Sequence, residues 1–205
     1  RESPNCKAAV GSPSHLSKNP SFNMKTPSLL TSAVYGLALA GGALACIEAL
    51  DLEKMMSKTD ACVRGTITDV QTVRSTINDT DWARIFTVVT VEGEDLYSGQ
   101  PRTLEMAFMG GTHQGETELV SSMPAASDYR IGNKVVAFSA PISSWGENVG
   151  RCLYATYGGL YREVQTRKGP IVLGKGADFA IENNVRIADL KTSIAAIQKA
   201  NKEAK

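Results

Sequence analysis

Residues 84–96 read RIFTVVTVEGEDL, and this stretch decides the fold that the sequence predicts. Ile85 and Val89 lie on one side of an extended chain, and Phe86 lies on the other. Two apolar faces are typical of a central strand that is buried on both sides. The acidic residues that end the stretch mark the point where the strand reaches solvent. We therefore expect the other strands to assemble around this one.

Further segments show the strand pattern of β-branched or alternating apolar residues bounded by Gly, Pro or polar loops. They are residues 61–73, 103–109, 133–139 and 152–166, the last interrupted by Gly158 and Gly159, with a return at 170–173. Closing such strands into a barrel removes exposed sheet edges, and bends at Gly65 and the Gly158 pair would help the sheet to curl. We therefore expect a mainly β fold, a small closed or partly open antiparallel β-barrel. A flat sandwich is the alternative.

Two helices are expected beside the strands. A short N-terminal helix is predicted over residues 47–58, with Asp51 as its cap. Its apolar residues are Leu50, Leu52, Met55 and Met56. A C-terminal amphipathic helix is predicted over residues 183–202, because Ile187, Leu190 and Ile194 recur at helical spacing. We expect its apolar stripe to pack on the barrel.

The chain ahead of the predicted barrel divides into two segments. Residues 1–23 are rich in Ser, Pro and Asn without apolar periodicity, which indicates a disordered upstream segment. Residues 24–45 combine one Lys, an uncharged run and small residues Ala43 and Ala45, the pattern of a signal peptide; a transmembrane anchor is the alternative. A single secreted or periplasmic domain is therefore expected over residues 46–205.

The residue after the predicted cleavage point is a cysteine. Cleavage after Ala45 would make Cys46 the N-terminal residue. Three fates are open for it: a free terminus, a disulfide, or a lipid that would make the protein a membrane-anchored lipoprotein. A lipoprotein signal usually has Leu at the third position before the cysteine, whereas here Leu44 is at the second.

Charge restricts the partners that we expect. Lys and Arg number 22 and Asp and Glu 21, for a net charge of +1, which falls to −2 without residues 1–45. No basic run stands out, so nucleic acid is not an expected partner, and a membrane is expected only through a lipid on Cys46. We expect another protein as partner and no cofactor.

The cysteine count predicts one disulfide. Cys46, Cys62 and Cys152 remain after cleavage, and an odd number in an oxidising compartment suggests one pair and one other cysteine. We expect Cys152 in a disulfide, with Cys62 as first partner and Cys46 as competitor.

No motif in the chain predicts catalysis. His113 is the one histidine after the predicted cleavage point, which excludes a histidine-rich zinc site. Residues 169–175 have the spacing of a phosphate-binding loop, but Gly176 stands where Ser or Thr is needed. We assign no catalytic, cofactor or metal residues. An enzyme would be a small secreted cysteine hydrolase using Cys62 or Cys152 with His113.

Three residues are candidates for contact with a partner. Cys46 would lie at the processed N-terminus, and His113 lies in the predicted loop GGTHQG. Trp145 lies in a Ser/Gly-rich loop, where an indole either caps the mouth of the barrel or binds a ligand.

Residues 59–67, TDACVRGTI, follow Cys46 and the short helix. This arrangement resembles the opening of netrin-like modules, including the tissue inhibitors of metalloproteinases, in which an N-terminal Cys precedes a strand. The Cys-x-Cys start of the inhibitors is absent, since Glu48 stands at the third position. The segments TVVTVEGEDLYSG, MAFMGGTHQG and IGNKVVAF are also similar to uncharacterised secreted bacterial proteins with this type of barrel.

The resemblance implies a barrel of the oligonucleotide/oligosaccharide-binding (OB) or netrin-like kind. It also implies a non-catalytic binding or interaction module, with inhibition of a secreted protease as the specific expectation. In that case Cys46 would form a rigid wedge for the active-site zinc of the protease. A lipid-anchored envelope protein of structural role is the alternative.

Overall fold

The computed structural model describes residues 50–77, 80 and 82–203. The predicted upstream segment, the predicted signal peptide, Ala45 and Cys46 lie outside these ranges. Within them, no helix is long and apolar enough to cross a membrane.

The described part of the chain is mainly β, with one α-helix before the strands and one after them. The α-helices are α1 (Leu52–Lys58) and α2 (Ile187–Glu203), and a 3₁₀ helix spans Thr156–Gly159. The strands are β1 (Ala61–Thr76), β2 (Ala83–Asp95), β3 (Pro101–Met109), β4 (Gly111–His113), β5 (Glu116–Glu118), β6 (Lys134–Pro141), β7 (Arg151–Leu153), β8 (Leu160–Thr166), β9 (Gly169–Val172) and β10 (Val185–Arg186).

Five strands form a closed barrel in the order β1-β2-β3-β7-β6, and β6 pairs with β1 to complete the ring. All of these pairings are antiparallel except the short one between β3 and β7, which is parallel and joins Ala107 to Cys152. The barrel predicted from the sequence is confirmed, but its sheet is mixed rather than wholly antiparallel. Strands β8, β9 and β10 extend the sheet from β6.

The interior of the barrel is apolar. Alternate residues of every barrel strand point inward, and the largest are fully buried, among them Ile67, Met106, Phe108 and Leu153. Strand β2 contributes to this interior through Val89 and Val91. Its opposite face is covered as well, so the two-sided apolar pattern of β2 reflects burial on both sides.

Two layers cover the outside of the barrel. Helices α1 and α2 and the segment after β9 pack on the outer faces of β1, β6 and β8, around Phe138 and Tyr161. The segment between β6 and β7 packs on β2 and β3, around Phe86 and Val88. Both helices use their expected apolar residues, since Met55, Leu190 and Ile194 are buried. The N-cap prediction is confirmed by a 2.7 Å bond from the backbone N–H of Lys54 to Asp51 Oδ1.

Strands β1 and β2 approach each other very closely at Gly65 and Gly93, which face each other across the ladder. A Cβ built on Gly93 would lie 2.0 Å from the carbonyl oxygen of Arg64, and one on Gly65 would lie 2.2 Å from that of Glu92. Only glycine fits at these two positions.

The chain between β7 and β8 differs from the prediction. One interrupted strand was expected over residues 152–166, whereas β7 ends at Leu153 and the 3₁₀ helix follows. The reason is a left-handed turn at Ala155 and Thr156, with φ of 53° and 45°. Tyr157 consequently points away from the core and is 39% exposed. Helix α2 likewise begins at Ile187, four residues later than expected, because β10 precedes it.

Candidate functional site

A mostly apolar cavity of about 440 Å³ lies beside α1, and we call it the α1 pocket. Its walls come from four separate parts of the chain: the α1 region, the loop before β6, the 3₁₀ turn and the loop after β9. They are Leu50, Met55, Ser121, Ser122, Ala155, Tyr157, Gly158, Asp178, Phe179 and Ala180.

Backbone hydrogen bonds fix these walls to one another. The N–H of Leu50 donates to the carbonyl of Asp178 at 3.0 Å, which joins the start of α1 to the loop after β9. The N–H of Tyr157 donates to the carbonyl of Ser122, also at 3.0 Å, which joins the 3₁₀ turn to the loop before β6. The rings of Tyr157 and Phe179 pack edge to face with centroids 5.6 Å apart.

Three residues around the pocket have a left-handed backbone without being glycine. Their φ angles are 53° at Ala155, 45° at Thr156 and 71° at Asp178. Such conformations cost about 1–2 kcal/mol each and persist only where the surrounding structure imposes them. They concentrate at ligand clamps and active sites, so their position on two walls of one cavity marks the α1 pocket as a candidate binding site.

Lys175 contacts Tyr157, one of the aromatic residues that line the pocket. Its Nζ is 3.4 Å from the centroid of the Tyr157 ring and 5.3 Å from that of Tyr161, and it donates to the carbonyl of Tyr157. Desolvation lowers the pKa of Lys175 to about 8, against the opposing effect of Asp128. Among the residues that the structure describes, no carboxylate forms an ion pair with Lys175.

A second, charged groove of about 330 Å³ lies where β1, β2, β6 and β8 meet. Arg64 donates to both carboxylate oxygens of Glu163 at 2.6 and 2.9 Å, and Lys191 donates to both oxygens of Glu94 at 2.8 and 2.7 Å. Glu163 is buried, so its pair with Arg64 also anchors β8 to β1. These ion pairs use Arg64, Glu94 and Glu163, three of the five charged residues that line the groove, and we therefore regard it as structural.

The expected disulfide between Cys62 and Cys152 is absent, and both thiols are free and buried. Cys62 is opposite Phe138 on one side of β6, and Cys152 is opposite Ala140 on the other side. Two strand spacings therefore separate the cysteines, about 9 Å or more, whereas a disulfide needs Cα atoms within about 7 Å. The predicted pairing requires β1 and β7 to be neighbours, whereas β6 lies between them. The competitor Cys46 lies outside the described residues.

The geometry does not bring Cys62 and His113 together. His113 lies in β4 rather than in a loop, and its Nδ1 is 2.9 Å from the carbonyl oxygen of Thr72. Thr72 is ten residues from Cys62 on β1, about 30 Å along an extended strand. Burial raises the pKa of both Cys62 and Cys152, which keeps the two thiols protonated.

Trp145 covers the outer face of the barrel instead of its mouth. Its ring packs on Phe86 at 5.0 Å between centroids, and its carbonyl accepts a 2.7 Å hydrogen bond from Ser75 Oγ. The indole is partly buried in the layer over β2 and β3. Contact of Trp145 with a partner or ligand stays a prediction.

Sequence reasoning did not find the α1 pocket. Tyr157 lies in the predicted strand 152–166, and Lys175 lies in the segment 169–175, which has only the spacing of a phosphate-binding loop. The one available signal was the glycine-rich, irregular sequence around Tyr157 and after β9.

In the described ranges, no group of three or more His, Cys, Asp and Glu residues is placed to hold a metal ion. No protein-family model, curated protein or solved structure matches this chain.

Proposed function

We propose that this chain is a secreted or periplasmic, non-catalytic binding module, and that the α1 pocket is its binding site. The observation that carries the proposal is the 440 Å³ apolar cavity bordered by strained, hydrogen-bonded segments. Cavities of about 300–1,000 Å³ with apolar walls and a few polar groups are typical of small-molecule sites.

The composition of the walls supports binding of a ligand with a largely apolar body. Tyr157 and Phe179 supply aromatic contacts and Leu50 an aliphatic one, while Ser121 and Ser122 are exposed at the edge. Apolar contacts would supply most of the affinity, and the few polar groups would orient the ligand.

The barrel supplies a rigid support for the pocket. The cyclic strand order, with β6 returning to β1 and a parallel contact between β3 and β7, supports a barrel of the OB-like or netrin-like kind. Buried thiols with raised pKa values support a binding function over a cysteine hydrolase, because neither Cys62 nor Cys152 is prepared to act as a thiolate nucleophile.

Titration with Nile red, a neutral dye that fluoresces in apolar surroundings, tests the proposal. We expect saturable binding to one site. The Ser122→Trp variant places an indole at the exposed edge of the pocket and should weaken binding by about tenfold or more. The matched control is Ser98→Trp, at an exposed turn residue that does not line the pocket. Equal binding by the wild type and both variants would refute the assignment of the pocket.

Inhibition of a secreted protease is the second candidate. Its support is the resemblance of Cys46 and residues 59–67 to the opening of netrin-like modules, in which the N-terminal Cys would form the wedge. The full chain, processed in its secretion pathway and assayed against secreted zinc proteases at micromolar concentration, should then inhibit at least one of them. Complete activity of all of them would exclude this candidate and leave the small-molecule proposal intact.

A further inference from the structure

Lys175 suggests the chemistry of the ligand. Its side chain does not line the α1 pocket, but its ammonium group lies over the ring of Tyr157, which does. A ligand whose apolar body fills the pocket and whose polar end extends past this ring would meet the ammonium group. The position of Lys175 therefore bears on which polar end the site prefers.

The ammonium group is incompletely satisfied. It has three N–H donors, and one of them is used by the carbonyl oxygen of Tyr157. The rings of Tyr157 and Tyr161 offer it their electron-rich faces. Burying an ammonium group costs free energy unless a negative charge compensates it, and in the described part of the chain no acidic residue forms an ion pair with Lys175.

A nearby carboxylate, that of Asp178, would favour a positively charged ligand instead. Asp178 lies at the pocket and forms no ion pair with any other described residue, so it could attract an amine. Its side chain is exposed, however, and solvent screens an exposed charge strongly. Lys175 is more buried than Asp178, so a charge that pairs with Lys175 gains more. Asp128 acts on Lys175 through its charge without forming an ion pair.

We infer that the α1 pocket binds an amphipathic carboxylate, with the apolar body in the cavity and the carboxylate group on the ammonium group of Lys175. This inference rests on the proposed function, since it assigns a ligand class to the same pocket. The bound carboxylate supplies a negative charge beside the ammonium group. It also accepts hydrogen bonds from the N–H groups of Lys175 that do not bond to the carbonyl of Tyr157. Charge-assisted hydrogen bonds of this kind are the strong ones in proteins.

Three ligands that share one alkyl chain test the inference: decanoate, decanol and decylamine. Isothermal titration of the full chain at pH 7 should show that decanoate binds about tenfold more tightly than decanol, a difference of about 1.4 kcal/mol, and that decylamine binds most weakly. The variant Lys175→Met keeps an apolar side chain over Tyr157 but removes the charge. In this variant decanoate should bind only as tightly as decanol, whose own affinity should not change.

The matched control is Lys168→Met, which removes an exposed lysine in the turn between β8 and β9. It should leave the preference for decanoate intact. Retained decanol binding by Lys175→Met also shows that the variant is folded. A Lys175→Met protein that still prefers decanoate would overturn the inference.

The pH profile of the wild type provides a second measurement. The preference for decanoate should decrease as pH rises above about 8, because free Lys175 then loses its proton. The ligand carboxylate stays ionised over this range. Burial raises the pKa of Tyr161 to about 12, so its hydroxyl group stays protonated over this range. A preference that is constant from pH 7 to about pH 10 would contradict the role of Lys175.

The remaining outcomes separate the inference from the proposed function. Tightest binding of decylamine would assign charge recognition to Asp178 and overturn the inference. Equal binding of all three ligands, weakened by Ser122→Trp, would overturn the inference but support the pocket. Binding of none of them, together with no Nile red binding, would overturn both proposals.

Discussion

Replacing Gly93 by Ala should destabilise the barrel strongly although Gly93 is exposed. The new Cβ would lie 2.0 Å from the carbonyl oxygen of Arg64 and 2.4 Å from the Cα of Gly65. Ordinary contact begins near 3.4 Å, so the two strands must separate by more than 1 Å. The contacts are with backbone atoms, so a change of rotamer cannot relieve them.

The magnitude follows from the ladder between β1 and β2. Overpacking typically costs about 1–3 kcal/mol, and separating the strands weakens one or two ladder hydrogen bonds at about 1 kcal/mol each. We therefore expect a loss of about 2–4 kcal/mol in the free energy of unfolding. Most exposed substitutions change stability by no more than about 0.5 kcal/mol, so the effect is well outside the usual range for the surface.

Gly150→Ala is the matched control. Gly150 is also exposed, its φ is not positive, and a Cβ there meets nothing within 4 Å. This variant should be neutral or stabilised by a few tenths of a kcal/mol, because alanine restricts the unfolded chain. Urea denaturation followed by far-ultraviolet circular dichroism measures both variants. Free energies of unfolding within about 0.5 kcal/mol of each other would refute the reasoning from close strand approach.

Three further predictions concern the outer layers of the barrel. Met55→Ala should lower the free energy of unfolding by about 2–4 kcal/mol in urea denaturation, because Met55 is fully buried between α1 and the barrel; a loss below about 1 kcal/mol would contradict this packing. Lys175→Met should be more stable than the wild type at pH 7, and the difference should shrink as pH rises from about 8 to 10.5. The sign follows because the folded pKa lies below the unfolded value, so charged Lys175 opposes folding until it loses its proton; a difference independent of pH would exclude this effect. Cys62 and Cys152 should resist alkylation in the native protein and react after denaturation, as peptide mass mapping would show; recovery of the two cysteines in one disulfide-linked peptide would disprove the strand arrangement.

Periodic patterns of apolar residues predicted the strand and the helix that bury those residues. The two apolar faces of residues 84–96 predicted a central strand, and β2 is covered on both sides. The stripe through Leu190 and Ile194 predicted a docked helix, although the helix begins later than expected. Such patterns are reliable because side-chain direction repeats every 2 residues in a strand and about every 3.6 in a helix.

Signals without a period were less informative. The segment 152–166 was expected to be a strand, because its composition suits one. The left-handed backbone at Ala155 ends this strand early, and the sequence carries no signal for it. The function, the protein partner and the processing of Cys46 stay predictions.

By itself, the sequence determined that this chain forms a mainly β fold with a helix at each end, because local periodicity and caps encode these elements. Only the tertiary structure decided which strands are neighbours. The parallel contact between β3 and β7 rests on one residue pair, and β6 separates Cys62 from Cys152. The tertiary structure also decided that Lys175 meets Tyr157 beside a cavity formed by four distant segments. Contacts of this kind depend on the order in which strands close the barrel, which no local pattern of residues contains.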